Sequence, residues 1–398
     1  VKIAIFTAGF PHLHPLTNEE LGKYLGGGVE VVAFRIAQKL VKRGHEVTVF
    51  TTSATGKNQI EDYGTIKICR YKANFWISRA PISLKFIVLP FLLKEKFDII
   101  HAQLGNLPAP LAGVVYGKIK GIPTVLTYHL DYETREGFKK IMKFVSVKIA
   151  NKILIPLTLH LADVITSVSH TFVPSSKLLP RYLEKLVVIP NGADSRCVDD
   201  KNIQKKKKDK KIILFVGSLV KRKNPDKLMH AFSMMSEHNC SNNIKLVYIG
   251  DGPMKDELIK LAKKLGLDSK VEIKGFVSEE KKWEYYKFAY VFSLPSSDEC
   301  FPLSILEAMS CGIPVVVSNI PAFREYVYDG KNGIMVDPEN IKEFSETLKH
   351  IVMNPKLAKK IGRIAKRIAE KYSWDNIVDR YEQLYLQLIE GKKDGKSS

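Results

Sequence analysis

Short apolar, β-branched runs alternate with amphipathic stretches along most of the chain. In the first half Lys2–Phe6, Glu46–Thr51, Ile66–Arg70, Asp98–His101, Thr124–Thr127 and Asp163–Val168 read as strands. Helical periodicity falls between several of them, most clearly over Val29–Arg43, which Gly44 closes. A second series begins at Lys211: Ile212–Val216, Lys245–Ile249, Val271–Lys274, Val291–Leu294 and Val315–Val317. Strands alternating with helices predict parallel, doubly wound sheets. The pattern therefore predicts an α/β protein of two Rossmann-like domains with a cleft between them. Lys201–Lys211, with seven lysines and one aspartate, suits an exposed connection. That places a first domain at 1–200 and a second at 201–373. Trp374–Ile389 reads as a final helix, so 374–398 is expected to be a helix and a polar tail.

The breaks between these elements carry the candidate chemistry. The strand Tyr290–Leu294 stops at Pro295, and the segment Ser296 to Gly312 follows, with Glu299 and Glu307 eight residues apart. Glu299 falls in a strand-to-helix loop and Glu307 about one turn into the helix Ser304–Ser310. The amides of Phe301 to Ser304 open that helix, and amides at a positive helix end form an anion site. A phosphate between two carboxylates that accept hydroxyls suits a nucleotide-sugar. Gly217 to Pro225 follows another strand and holds Arg222 and Lys223, adjacent cations in a strand-to-helix loop. Lys221 is expected to point outward. In the first half, Gly26-Gly27-Gly28 opens the helix from Val29 without the G-x-G-x-x-G spacing of a dinucleotide site. His129 lies just past the strand Thr124–Thr127, at the end where open α/β sheets bind ligands. Asp131 is a weaker neighbour, His12 and His14 lie in the loop Thr7–Leu25, and His101 and His170 read as structural.

The stretch from Glu299 to Ser318 resembles the E-x7-E signature of retaining GT-B glycosyltransferases, in particular glycosyltransferase family 4 (glycosyl transferases group 1). A bare E-x7-E is weak, but E-x-F-x-L-x-x-x-E-A-M-x-x-G-x-P-V-V-x-S is a specific match. Gly27-Gly28-Val29-Glu30 is similar to the family's G-G-x-E loop, which closes over the donor diphosphate. Gly217 to Asn224 is similar to its G-[RS]-L-x-x-x-K-G element, and Gly275-Phe276-Val277 to the turn whose backbone lies near the base. The likeness runs from Ile3 to Ile389 and is loosest between Thr52 and Phe97. It implies that Glu299 orients the sugar hydroxyls and Glu307 binds the ribose. It also implies that Arg222 and Lys223 hold the diphosphate and that His129 contacts the sugar. A crossing of the final helix back to the first domain is implied too. Asn224 stands where glycine is usual and is expected to alter the loop's backbone. Ser218 stands where arginine is common. Cys300 and Pro302 replace glycines; proline removes one amide, which leaves Leu303 and Ser304 as the phosphate cradle.

The implied reaction is hexosyl transfer from a donor of the GDP-mannose, UDP-glucose or UDP-GlcNAc type to a hydroxyl of a glycan or glycolipid, with retention. No D-x-D occurs, so no metal and no other cofactor is expected. A non-catalytic nucleotide-sugar or polyanion-binding protein on the same fold, and an epimerase or phosphorylase, are the competing readings. The chain has 398 residues, enough for two domains, and its 62 lysines and arginines against 42 acids leave +20. An anionic membrane face is one partner for that charge. Phe138–Lys152, with five lysines, no acids and an apolar face, is the expected contact. Nucleic acid is not expected, since no recognition motif is present. No apolar run reaches 18 residues, and Lys2–Phe6 reads as a core strand and not a signal peptide. Five cysteines without a C-x-x-C pair imply a reducing, cytoplasmic setting.

Overall fold

The computed structural model describes residues 1–11, 27–53, 56–77, 80–131, 148–194, 196–197, 211–237 and 243–394. The loop residues His12 and His14, Gly26, most of the basic segment from Phe138, and the lysine-rich 201–210 lie outside them. The chain forms two units: Val1–Asn191 with Trp374–Ser398, and Gly192–Ser373. The division thus falls at Asn191, ahead of the boundary drawn at 200. The reason is local, since the Ala193 amide donates to Tyr372 O at 2.7 Å and ties this segment to the second unit.

In the first unit an eight-stranded sheet runs β10-β9-β8-β7-β1-β2-β4-β3. The strands are β1 (Lys2–Thr7), β2 (Glu46–Ser53), β3 (Gln59–Tyr63), β4 (Ile66–Lys72), β7 (Ile99–Leu104), β8 (Thr124–Tyr128), β9 (Val164–Ser167) and β10 (Leu186–Val188). A small hairpin, β5 (Phe75–Ile77) and β6 (Ala80–Ile82), stands apart. All sheet pairs are parallel except β3 with β4. β1 is buried from Ile3 to Thr7, as a central strand covered on both faces must be. Helices α1 (Gly28–Lys42), α2 (Lys85–Leu92), α3 (Ala109–Lys120) and α4 (Ile155–Leu161) supply the crossovers. α3 lies close on the sheet because a Cβ at Gly113 would meet the Phe6 ring at 2.7 Å. The order reverses between β7 and β1, the place where such sheets leave a crevice at their carboxyl ends.

The second unit is a six-stranded parallel sheet, β13-β12-β11-β14-β15-β16. Its strands are β11 (Lys211–Val216), β12 (Ile244–Ile249), β13 (Val271–Ile273), β14 (Ala289–Leu294), β15 (Val315–Ser318) and β16 (Gly333–Val336). The helices are α5 (Pro225–Glu237), α6 (Lys255–Lys264), α7 (Glu279–Phe288), α8 (Leu303–Ser310), α9 (Ile341–Met353) and α10 (Pro355–Glu370). Here the reversal lies between β11 and β14. A Cβ at Gly250 would fall 2.0 Å from Gly217 O, so the loops after β11 and β12 can approach only through glycine.

The last helix, α11 (Trp374–Asp394), belongs to the first unit. Lys39 meets Asp375 at 2.8 Å, and Arg43 meets Asp379 at 2.7 Å and Glu382 at 2.8 Å. Beneath those ion pairs Tyr381 and Tyr385 are buried against His101. Among the described residues no helix is long and apolar enough to cross a membrane.

The cysteines depart from the reducing setting inferred above. Cys197 and Cys311 form a disulfide that closes 114 residues, and Cys69 and Cys300 are free. Closing a loop of that length stabilises the fold by about 5 kcal/mol in the chain-entropy account. Digestion without reductant is expected to yield a peptide joining Cys197 to Cys311. Adding reductant should lower the unfolding midpoint of the wild type and leave Cys197→Ser/Cys311→Ser unchanged. Equal midpoints with and without reductant in the wild type would remove the bond from the stability account.

Candidate functional site

The reversal between β11 and β14 sets two loops side by side. β11 leads through Gly217 into a single 3-10 turn, Lys221–Lys223, and β14 leads through Pro295 to Glu299. Lys223 Nζ lies 2.6 Å from Glu299 Oε1, Arg222 Nη1 lies 3.5 Å from Oε2, and Ser296 Oγ donates to Oε1 at 3.0 Å. Burial pushes the Glu299 carboxyl up. The Lys223 and Arg222 charges outweigh it, helped by hydrogen bonds from Lys223 and Ser296, and hold the group below its ordinary value. The two cations differ in setting. Lys223 is buried, whereas the Arg222 side chain is 40% exposed and also donates to Asp298 O at 2.8 Å. Lys221 is exposed.

Asn224 does not alter the loop in the way its replacement of glycine implied. It takes the left-handed conformation itself, at φ 48°, and its Nδ2 donates to Pro295 O at 2.8 Å. Asparagine enters that region more readily than other side chains, and the bond ties the two loops together.

Glu307 sits on α8 and is 8% exposed. Both its oxygens are engaged: Lys282 Nζ donates to Oε1 and the Tyr286 hydroxyl to Oε2, each at 2.9 Å. Burial opposes the Lys282 charge, but the Glu307 and Glu279 carboxylates outweigh it and raise its pKa. Lys282 and Tyr286 were not singled out in the sequence. Their one signal is the i, i+4 spacing on α7, which many helices share. α8 starts at Leu303 after Pro302 with no side-chain cap, leaving the Leu303 and Ser304 amides at its opening. The Phe301 ring packs at 5.0 Å on Tyr326 and 5.8 Å on Tyr372, so its side chain is core and only its backbone faces the loop. Gly275 turns the chain at φ 69°, which leaves Phe276 65% exposed and Val277 half-buried.

In the first unit Gly27 and Gly28 are exposed at the start of α1. The Gly27 amide donates to the Glu30 carboxylate, and burial raises Glu30 to about 7. His129 is buried beyond β8, and its Nε2 donates to Gln103 Oε1 at 2.6 Å. Gln103 Nε2 in turn donates to His101 Nε2 at 2.9 Å, and Thr127 Oγ1 lies 2.6 Å from the same nitrogen. The His101 proton is therefore on Nδ1, facing the Tyr385 hydroxyl. Burial lowers both histidines to about 3, and the His129 charge adds to the effect at His101. Asp131 is a fastener: it accepts from Tyr128 and Ser176 hydroxyls and from the Lys177 amide, each at 2.7 Å.

Residues 26–196 match the family described as Glycosyltransferase Family 4, and residues 198–368 match Glycosyl transferases group 1. The chain is 25% identical over 378 residues to the O-antigen chain mannosyltransferase C of Escherichia coli, covering 92% of this chain and 96% of that protein. It is 26% identical over 392 residues to the alpha-monoglucosyldiacylglycerol synthase of Acholeplasma laidlawii, covering 91% and 94%. The crystal structure of Anabaena HepE in complex with UDP-glucose superposes with a TM-score of 0.71 at 19% identity, over 97% of this chain and 99% of that one.

Two outcomes follow from the charges. Lys223→Met strips a buried carboxylate of its nearest cation and should cost about 3 kcal/mol in urea unfolding, with Lys223→Met/Glu299→Gln recovering most of it. The Glu299 contribution is present above the ordinary carboxylate pKa and is lost as pH falls through its lowered folded value. If the double variant is no more stable than the single, the pair is not what Lys223 provides. The histidines act over another window. The unfolded chain takes up protons near pH 6.5, the folded one only near 3, so the first unit loses stability as pH falls between them. His101→Gln should flatten that slope in acid titration, and an unchanged slope would assign it to other groups.

Proposed function

The chain belongs to the glycosyltransferases, family 4 in its first half and group 1 in its second, and from that premise we propose a retaining, metal-independent hexosyltransferase. Its fold is GT-B, two Rossmann-like domains, and it is an enzyme that takes a nucleotide-sugar donor and a glycan or lipid acceptor. The observation that carries the finer reading is the joining of Arg222, Lys223 and Glu299 where β11 and β14 diverge, next to the uncapped start of α8. A diphosphate arriving there meets two cations and the Leu303 and Ser304 amides. Arg222, more exposed and farther from Glu299, turns toward the phosphate first, while Lys223 stays against Glu299. The developing charge on the leaving group is then met by groups already in place. These cations supply the electrostatic role for which a divalent ion is otherwise used.

In this reading Glu299 accepts sugar hydroxyls and Glu307 accepts the ribose diol, its carboxylate aimed by Lys282 and Tyr286. Phe276 and Val277 lie toward the base. Gly27 and Gly28 keep the expected role toward the diphosphate, and His129 toward the sugar as a neutral donor or acceptor. The acceptor oxygen attacks the anomeric carbon on the face the phosphate leaves. The anomeric C–O bond breaks as the new one forms, and the departing phosphate oxygen takes the acceptor's proton. No carboxylate serves as nucleophile, so the separation rule for glycosidases does not apply.

The test is thermal stabilisation by a panel of nucleoside diphosphate sugars with EDTA present. One donor should raise the wild-type midpoint, with the shift lost in Glu307→Ala and Arg222→Ala. Arg222→Ala should leave the unliganded midpoint near that of the wild type. NMR of the product should show the donor's anomeric configuration. A shift that survives both substitutions places the donor elsewhere, a requirement for divalent ions ends the metal-free reading, and an inverted product ends the retaining one.

A further inference from the structure

Helix α2 is apolar on both sides. Phe86, Leu89 and Pro90 are buried, the first two within the core of the first unit. The opposite side carries Leu84, Ile87, Val88, Phe91 and Leu92, all exposed, with Phe91 at 70% and Ile87 at 60%. Those positions follow the i, i+3, i+4, i+7, i+8 spacing of one helical face, so this is a continuous stripe and not scattered side chains. A helix apolar all round is normally covered, and an outer stripe of this size marks a contact surface.

Three neighbouring features show what covers it. Lys85, Lys94 and Lys96 are exposed at the two ends of the stripe. The hairpin β5–β6 is fastened to the start of α2 through Asn74, whose Oδ1 accepts from the Leu84 amide at 2.8 Å, and it presents Phe75 and Trp76 partly exposed. α3 packs against both α2 and α4, so the three helices form one layer. On the helical stretch that ends in α4, Ile149, Ile153 and Leu157 form a second exposed stripe at i, i+4, i+8, with Lys152 beside it. Apolar stripes edged by lysines, with an aromatic hairpin at one margin, match a layer that is hydrocarbon beneath and anionic at its surface.

We propose that the α2 face, with the hairpin and the stripe leading into α4, docks on an anionic lipid bilayer, with α2 lying in the plane of the interface. The lysines meet acidic headgroups while Ile87, Val88, Phe91 and Leu92 enter the acyl boundary. This inference is independent of donor and acceptor identity; α2 and the hairpin lie outside the segment Phe138–Lys152 to which the sequence assigned membrane contact, while the second stripe shares Ile149 and Lys152 with it.

The experiment is co-sedimentation of the full chain with phosphatidylcholine vesicles, with and without phosphatidylglycerol, for the wild type and for Ile87→Asn/Phe91→Asn/Leu92→Asn. All three positions are exposed, so an unchanged unfolding midpoint confirms that the variant is folded. The wild type is expected to bind the anionic vesicles and not the neutral ones, and the variant to bind about a hundredfold more weakly, since three large apolar groups no longer leave water. Equal binding by variant and wild type, or a wild type that stays in the supernatant, overturns the proposal. So does light scattering that shows a wild-type dimer and a variant monomer, because the face then belongs to a second copy of the chain.

Discussion

A buried carboxylate that must be neutralised governs the second unit. Glu299 is largely withdrawn from water, and an isolated charge there would be driven toward protonation. Lys223 prevents that at 2.6 Å, and Lys223 comes from a different strand. Everything between the two residues is therefore constrained. The loop after β11 has to make its 3-10 turn, Asn224 has to enter the left-handed region, and the Ser297 amide donates to Arg222 O at 2.8 Å to close the seam. A parallel sheet whose order reverses at β11 and β14 is what makes that meeting geometrically available.

The first unit has a neutral counterpart. His129, Gln103, His101 and Tyr385 form a chain of hydrogen bonds that ends on α11, a helix more than two hundred residues away in sequence. The ion pairs of Lys39 and Arg43 with α11 lie at its edge and are partly exposed, so the buried polar chain and the tyrosine rings carry more of the specificity than the charges do. Burial keeps both histidines uncharged at neutral pH, so the network is satisfied without any buried ion. His129 is held rather than loose, and its ring orientation depends on α11 through two intermediates, Gln103 and His101.

How far the sequence reached follows from which information is local. Strands such as Ile66–Arg70 and Val315–Val317 were legible because β-branched runs bounded by turn residues need no distant partner to be read. The edge strand β3 was not, since its mostly exposed, polar residues lack that pattern, whereas the short apolar β16 was passed over although it carries it. The charged loop residues Arg222, Lys223, Glu299 and Glu307 were marked by motif spacing. Lys282, Tyr286 and Ser296 were invisible because their importance lies in what they touch. The same applies to Cys197 and Cys311: their pairing is a property of the folded unit, and composition alone pointed to free thiols. Asn224 shows the converse case, in which a departure from glycine is absorbed because asparagine can take the same backbone conformation.

Charge bookkeeping over the site separates two roles that the net +20 would otherwise blur. Arg222 and Lys223 face Glu299, while Lys282 faces Glu279 and Glu307. With Arg196, which reaches Glu279 at 3.9 Å and Asp194 at 3.7 Å, four cations sit among four carboxylates among the described residues, and the site at rest is close to neutral. The chain's surplus of positive charge lies outside it, on exposed lysines such as those around α2. On the proposed reading, a diphosphate entering the site would find no large standing field to draw it in. It would have to compete with Glu299 for Arg222 and to use the amides at the start of α8. On that reading, tight capture of a doubly charged leaving group would depend on how readily Arg222 leaves Glu299, more than on the total charge of the protein.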